Sequence, residues 1–124
     1  SLSPLETVRY YRDVVRTLGG LERTQQSVRL FMAPGMHHCV AGPGPNNFDA
    51  ATAVVFWVLA GAAPDQIIAT HYQNNDPSTG VVTRTMPLCP YPAVAMFTGG
   101  DVNVAANWVC QRPANHHSSP GAEE

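Results

Sequence analysis

The sequence predicts a mixed α/β fold, and three observations predict it. A helix with a marked start and stop opens the chain. A short β run then leads through a long loop into a helix that is apolar on nearly every face. A β hairpin follows. A wholly apolar helix needs a sheet face broader than one strand supplies, so the pattern asks for further strands.

The elements read in order. Ser3-Pro4-Leu5-Glu6 fits a capping box, in which Ser3 accepts from free amides of the first turn and Glu6 reaches back. Pro4 stands at the first helical position, where its missing N–H costs nothing. Leu5, Val8, Tyr11, Val15 and Leu18 recur at three- and four-residue steps and make one apolar stripe. Gly19-Gly20 ends this helix over 4–18, since glycine takes the left-handed cap at low cost. Residues 28–32, Val-Arg-Leu-Phe-Met, read as a short buried strand that Pro34-Gly35 breaks. The loop from Gly35 to Asn47 carries Met36-His37-His38-Cys39 and then Gly42-Pro43-Gly44-Pro45, an alternation of permissive and stiff residues that holds an irregular path. Asn47 is the expected N-cap of a largely buried helix over 48–60, with Asp49 in its first turn. Residues 67–72 and 81–86 read as strands around the turn-forming stretch 74–80, hence a hairpin. The stretch 87–92 is too proline-rich for regular structure. Residues 93–97 read as a short extended piece, 102–109 as a short helix, and 112–124 as a frayed tail.

Composition excludes several classes. The 124 residues suit one small domain, and charged residues make up only 13%. So poorly charged a surface is more easily explained if something covers part of it. All seven positive charges are arginines, and they are scattered. Nucleic-acid binding needs a basic patch, and none is present. The longest apolar stretch, 50–63, is too short for a membrane span of about 20 residues. Ser1-Leu2-Ser3-Pro4 has neither the basic start nor the apolar run of a signal peptide, and a chain without an initial Met is expected to be processed or truncated. Three cysteines, Cys39, Cys89 and Cys110, imply one pair plus one thiol with a partner elsewhere in an exported protein, or three reduced thiols in the cytosol.

His38 stands on a loop just after a β run, where an imidazole can take and return a proton near neutral pH. In α/β-hydrolases the triad runs nucleophile, acid, histidine, and the histidine follows the last core strand. The residues carry a more specific likeness. The run 30–39, Leu-Phe-Met-Ala-Pro-Gly-Met-His-His-Cys, followed by Gly42-Pro43-Gly44-Pro45, resembles the histidine motif of the tannase and feruloyl esterase family. Ala63-Pro64-Asp65, residues 67–72, residues 87–92 and Ala105-Ala106-Asn107-Trp108-Val109-Cys110 also resemble that family, as do Ser3-Pro4, Thr7 and Tyr10-Tyr11. The likeness covers about residues 1–111.

The resemblance implies the C-terminal portion of an α/β-hydrolase: helix, last core strand, histidine loop, buried helix, then hairpin and disulfide-stapled C-terminus. It implies a carboxylic ester hydrolase, secreted or periplasmic, acting on aromatic-acid esters of the ferulate, gallate or terephthalate type by Ser-His-Asp chemistry. His38 is then the catalytic base. Cys39 is disulfide-bonded to a cysteine outside this chain, beside the nucleophile, and Cys89 pairs with Cys110. The family usually has glycine where His37 stands, so His37 is a residue near the substrate or, as its loop position suggests, a solvent-facing one. No Gly-x-Ser-x-Gly turn occurs, and the acid and the substrate-shaping lid are also expected from outside.

No cofactor or metal is expected. Adjacent residues such as His37, His38 and Cys39 seldom present their side chains to one ion, and no CxxC or HxxxH pair occurs. His71, alternating with apolar neighbours, reads as a packed structural histidine, and His116-His117 as solvated. Expected partners are the aromatic-acid ester, the N-terminal part of the hydrolase, and a second copy through self-association. The alternative is a truncated or processed fragment, inert alone or complementing an N-terminal chain. Thiol titration of the denatured, unreduced chain is expected to find about one free cysteine; all three reacting would contradict the Cys89–Cys110 pair.

Overall fold

Capping chemistry sets the first element. In a computed structural model that describes residues 3–114, helix α1 spans Pro4–Leu18. Ser3 Oγ accepts from the Leu5 amide at 3.3 Å, and Gly19 closes the helix in the left-handed conformation. Only half of the expected capping box forms, because the Glu6 carboxylate turns to Arg9 at 2.7 Å instead of reaching back. Val8 and Tyr11 are buried on the apolar stripe. A one-turn helix that the sequence reading lacked, α2 (Leu21–Thr24), follows directly.

The stretch 28–32 is not a strand. It makes a single bridge, Phe31 to Pro90, beside the bond from the Tyr91 amide to the Leu30 carbonyl at 2.7 Å. A strand needs a ladder of donors alongside, and the segment that lies there carries Pro90 and Pro92, which have no N–H. Tyr91 is nevertheless a hub. Its ring meets Tyr11 edge-on at 6.1 Å, its hydroxyl accepts from Arg12 at 2.7 and 2.9 Å, and its carbonyl accepts from Gln25 Nε2 at 3.1 Å. Burial raises the pKa of Tyr11, whose hydroxyl donates to the Val28 carbonyl.

Helix α3 spans Ala50–Ala60, and its cap is Asp49, not Asn47. The Asp49 carboxylate accepts from Thr52 Oγ1 at 2.6 Å and from the Thr52 amide at 2.9 Å, which holds its pKa below the usual carboxylate value. Asn47 is unavailable as a cap because its N–H and C=O both pair with Thr70. The expected burial of this helix is corrected: none of its residues is buried, and Val58 and Leu59 are 75% and 81% exposed. Periodicity can say that a helix is apolar all round, but burial also requires a surface to cover it. Arg29 lies over the Trp57 ring of α3 at 5.7 Å and donates to the Pro64 carbonyl and the Asp65 carboxylate beyond the helix at 2.8 and 2.9 Å.

The hairpin forms as read. β1 (Ile67–Tyr72) pairs antiparallel with β2 (Val82–Leu88), with Ala69 fully buried opposite Met86. β2 runs past Met86 through Pro87, opposite Ile68, into the proline-rich stretch. A second antiparallel pair joins β3 (Val94–Phe97) to β4 (Trp108–Gln111). The helix expected over 102–109 does not form: residues 102–104 are irregular, Ala105–Asn107 make one 3-10 turn, and Trp108 and Val109 open β4. Val109 is β-branched, and the Phe97 and Trp108 rings pack across the pair at 5.1 Å, which favours the pleated form. A disulfide joins Cys89, at the end of β2, to Cys110 in β4. The tail expected over 112–124 lies outside the described residues from 115 onward, as do His116 and His117.

No helix among the described residues is long and apolar enough to cross a membrane. The open face of α3 predicts binding of a hydrophobic dye and self-association. The double substitution Val55→Gln and Leu59→Gln, one turn apart on that face, is expected to lower both while leaving far-UV circular dichroism unchanged. A monomer that binds no dye before substitution would contradict this.

Candidate active site

The loop that carries His38 is held at three levels. Its two stems run together at Gly35 and Gly44, where the Gly44 amide donates to the Gly35 carbonyl at 3.0 Å. Its tip closes through the His37 amide to the Ala41 carbonyl at 3.0 Å. Its exit is anchored on β1, where the amides of Asn46 and Asn47 donate to the Thr70 carbonyl at 3.2 and 3.0 Å.

The stems approach so closely that a side chain has no room. A Cβ at Gly42 would fall on the Gly35 carbonyl oxygen, and one at Gly44 on the Pro34 carbonyl oxygen. A Cβ at Gly35 would lie 2.8 Å from the Gly44 nitrogen. Gly35 and Gly42 also take φ of +75° and +118°, where side-chain-bearing residues are strained. Two non-glycine residues nearer the tip share that region, Cys39 at φ +78° and Ala41 at φ +60°.

His38 and Cys39 are exposed at the tip, with Cys39 Sγ 2.9 Å from His38 Nδ1 and 3.7 Å from Nε2. Cys39 is a free thiol. No hydrogen-bond partner other than Cys39 meets the His38 ring among the described residues. The loop backbone therefore sets where the residue stands. An exposed imidazole on a braced loop can accept and return a proton to a group brought to it. His37 is likewise exposed. His71 stands apart on β1, its Nδ1 2.6 Å from Thr83 Oγ1. Among the described residues no group of three or more His, Cys, Asp or Glu side chains could hold a metal ion.

An apolar cavity of about 150 Å³ lies against the stems, lined by Met32, Pro34, Pro45, Met86, Leu88 and Tyr91 among others. Asn46 is the site residue that sequence reasoning missed. Its side chain donates to the Gly44 carbonyl at 3.0 Å and to Asn75 Oδ1 at 2.7 Å. The available signal was the Asn46-Asn47 pair, which reads naturally as the approach to a helix cap.

Gly42→Ala is expected to destabilise the chain by about 1–3 kcal/mol through overpacking, with the strain at its positive φ added. Gly61→Ala is the comparison. Gly61 has φ +65° but faces open space, so only the conformational strain of about 1 kcal/mol should appear. Urea denaturation measures both, and equal losses would contradict the stem contact.

The tannase and feruloyl esterase family matches residues 1–111. The chain is 43% identical to the mono(2-hydroxyethyl) terephthalate hydrolase of Piscinibacter sakaiensis over 91% of its own length and 18% of that protein's. It is 33% identical to a probable feruloyl esterase of Arthroderma benhamiae over 94% of its own length and 21% of that protein's. Two solved structures from Aspergillus oryzae share its fold. Feruloyl esterase B superposes with a TM-score of 0.76 at 23% identity, covering 88% of this chain and 24% of that one. An esterase superposes with a TM-score of 0.75 at 27% identity over the same shares. The chain spans about a fifth of the length of these curated relatives. With its α/β fold and nearly its whole length matched, the chain belongs to the tannase and feruloyl esterase family of ester hydrolases.

Proposed function

We propose that this chain supplies the catalytic histidine, His38, of a carboxylic ester hydrolase acting on aromatic-acid esters. The observation that carries the proposal is the braced loop: it offers an exposed imidazole at a position set by backbone contacts, in a chain of an esterase family. The printed names of the relatives, a terephthalate monoester hydrolase and a feruloyl esterase, support an ester of an aromatic acid as the substrate class.

In this reading a serine outside the chain attacks the ester carbonyl, and His38 takes its proton. His38 then protonates the leaving alcohol, and the acyl-enzyme is hydrolysed by water that His38 activates in turn. An aspartate outside the chain orients the imidazole. Cys39, exposed beside His38, bonds to a cysteine next to the serine and ties base to nucleophile. The open face of α3 packs on the remainder of the hydrolase. The disulfide Cys89–Cys110 supports an oxidising compartment, so the protein is secreted or periplasmic. The second reading, a fragment inert on its own, is favoured by one observation: no acid or hydroxyl reaches the His38 ring among the described residues.

Hydrolysis of p-nitrophenyl acetate and methyl ferulate tests both. The chain alone is expected to be inactive. Combined with the N-terminal portion of the Piscinibacter relative, it is expected to turn over both esters, and His38→Ala in that complex should lower kcat about 10²–10⁴-fold. Turnover that survives the loss of His38 would overturn the assignment.

A further inference from the structure

Among the described residues no hydrogen bond holds the His38 ring beyond those to Cys39 Sγ, so its placement rests on its loop. The Asn46 side chain is placed to do this. Its Nδ2 faces three oxygens: Asn75 Oδ1 at 2.7 Å, the Gly44 carbonyl at 3.0 Å and the Gly42 carbonyl at 3.5 Å. A carboxamide nitrogen has two hydrogens, and only the nitrogen end of the group suits three acceptors. The two carbonyls belong to the returning stem of the histidine loop, and both glycines are buried. The third oxygen comes from a different element. Asn75 ends the 3-10 turn Gln73–Asn75 in the connection between β1 and β2, at φ +57°, a conformation that asparagine tolerates better than most residues. Asn46 thus ties the returning stem to the far end of the hairpin. Its backbone amide separately joins β1 through Thr70.

We infer that Asn46 and Asn75 form a positioning pair that holds His38 in place by fixing the returning stem of its loop. The inference rests on the reading of His38 as the base. Asn46 and Asn75 are positioning residues, acting through the loop without contacting the substrate.

Chemistry supplies clean variants. Asn46→Asp keeps the shape but turns the donor into an acceptor facing three oxygens, two of them carbonyls of buried glycines. Asn75→Gly removes the acceptor without straining a positive φ, and Asn75→Asp keeps an acceptor in the same place. The first measurement is amide hydrogen exchange on the chain itself. The His37 amide, bonded to Ala41, and the Gly44 amide, bonded to Gly35, report on the loop. The Thr70 amide, bonded to Asn47, and the Thr85 amide, bonded to Asn103, are controls. Asn46→Asp and Asn75→Gly are expected to speed exchange at His37 and Gly44 about fivefold or more, the factor for one hydrogen bond of ordinary net strength. The controls should stay unchanged, and Asn75→Asp should exchange as the unsubstituted chain does. The second measurement is turnover in the complemented enzyme, where Asn46→Asp should lower kcat with KM unchanged and Asn75→Asp should retain kcat.

Unchanged exchange at Gly44 and His37 overturns the inference. So does acceleration spread equally over Thr70 and Thr85, or loss of protection in Asn75→Asp, or an unchanged kcat in Asn46→Asp. Failure of the underlying reading has a different signature: loop exchange responds locally as expected, but the complemented enzyme keeps its turnover without His38.

Discussion

Two stretches of backbone can lie in direct contact only where neither carries a Cβ between them. The histidine loop depends on that condition at Gly35, Gly42 and Gly44. Any side chain at Gly42 or Gly44 would meet a carbonyl oxygen of the opposite stem, and the bond from Gly44 to Gly35 could not form at its length. Pro34, Pro43 and Pro45 stiffen the same stems. The tip that carries His38 and Cys39 therefore sits on a narrow base whose close approach only glycine permits. This is how an exposed imidazole can hold a position without a buried partner.

The rest of the described chain serves that base from two sides. On one side the β1–β2 hairpin takes the exit of the loop through Thr70 and meets Asn46 through Asn75. On the other, the segment entering the loop is bonded to Tyr91, which α1 grips through Tyr11 and Arg12 and which Gln25, just after α2, holds by its carbonyl. The disulfide fastens the end of β2, just before Tyr91, to β4. Its loop of about 20 residues contributes about 3 kcal/mol on the chain-entropy model. Helix α3 meets the segment entering the loop through Arg29 and Trp57, and the rest of its apolar surface is open in the described chain.

What was legible in the sequence follows from which features are local. Helix α1 could be read because Ser3, Pro4 and Gly19 act within one turn of themselves. The hairpin could be read because its turn formers and β runs lie side by side. Residues 28–32 could not be assigned correctly, since a strand is a relation to a neighbour and the neighbour here is proline-rich. The cap of α3 was misplaced by two residues because a distant partner, Thr70, takes up Asn47. The end of the helix expected over 102–109 is strand because Trp108 and Val109 pair with Phe97 and Met96 of β3, partners that lie about a dozen residues away and leave no local period. In the candidate site, the glycines and prolines around His38 announced an irregular, held path. The bond from Asn46 to Asn75 joins residues 29 apart and left no local trace.

The most direct test of this account is the through-space proton cross-relaxation between the Hα atoms of Gly35 and Gly44 in the folded chain. The two stems place the Gly44 Cα 3.0 Å from where a Gly35 Cβ would stand, so a strong cross-peak is expected. It should persist when Cys39 is changed to serine, since the base of the loop does not depend on the thiol at its tip. Absence of that cross-peak in a chain that is otherwise folded would mean that the stems are apart, and that the backbone does not hold His38 in the way described.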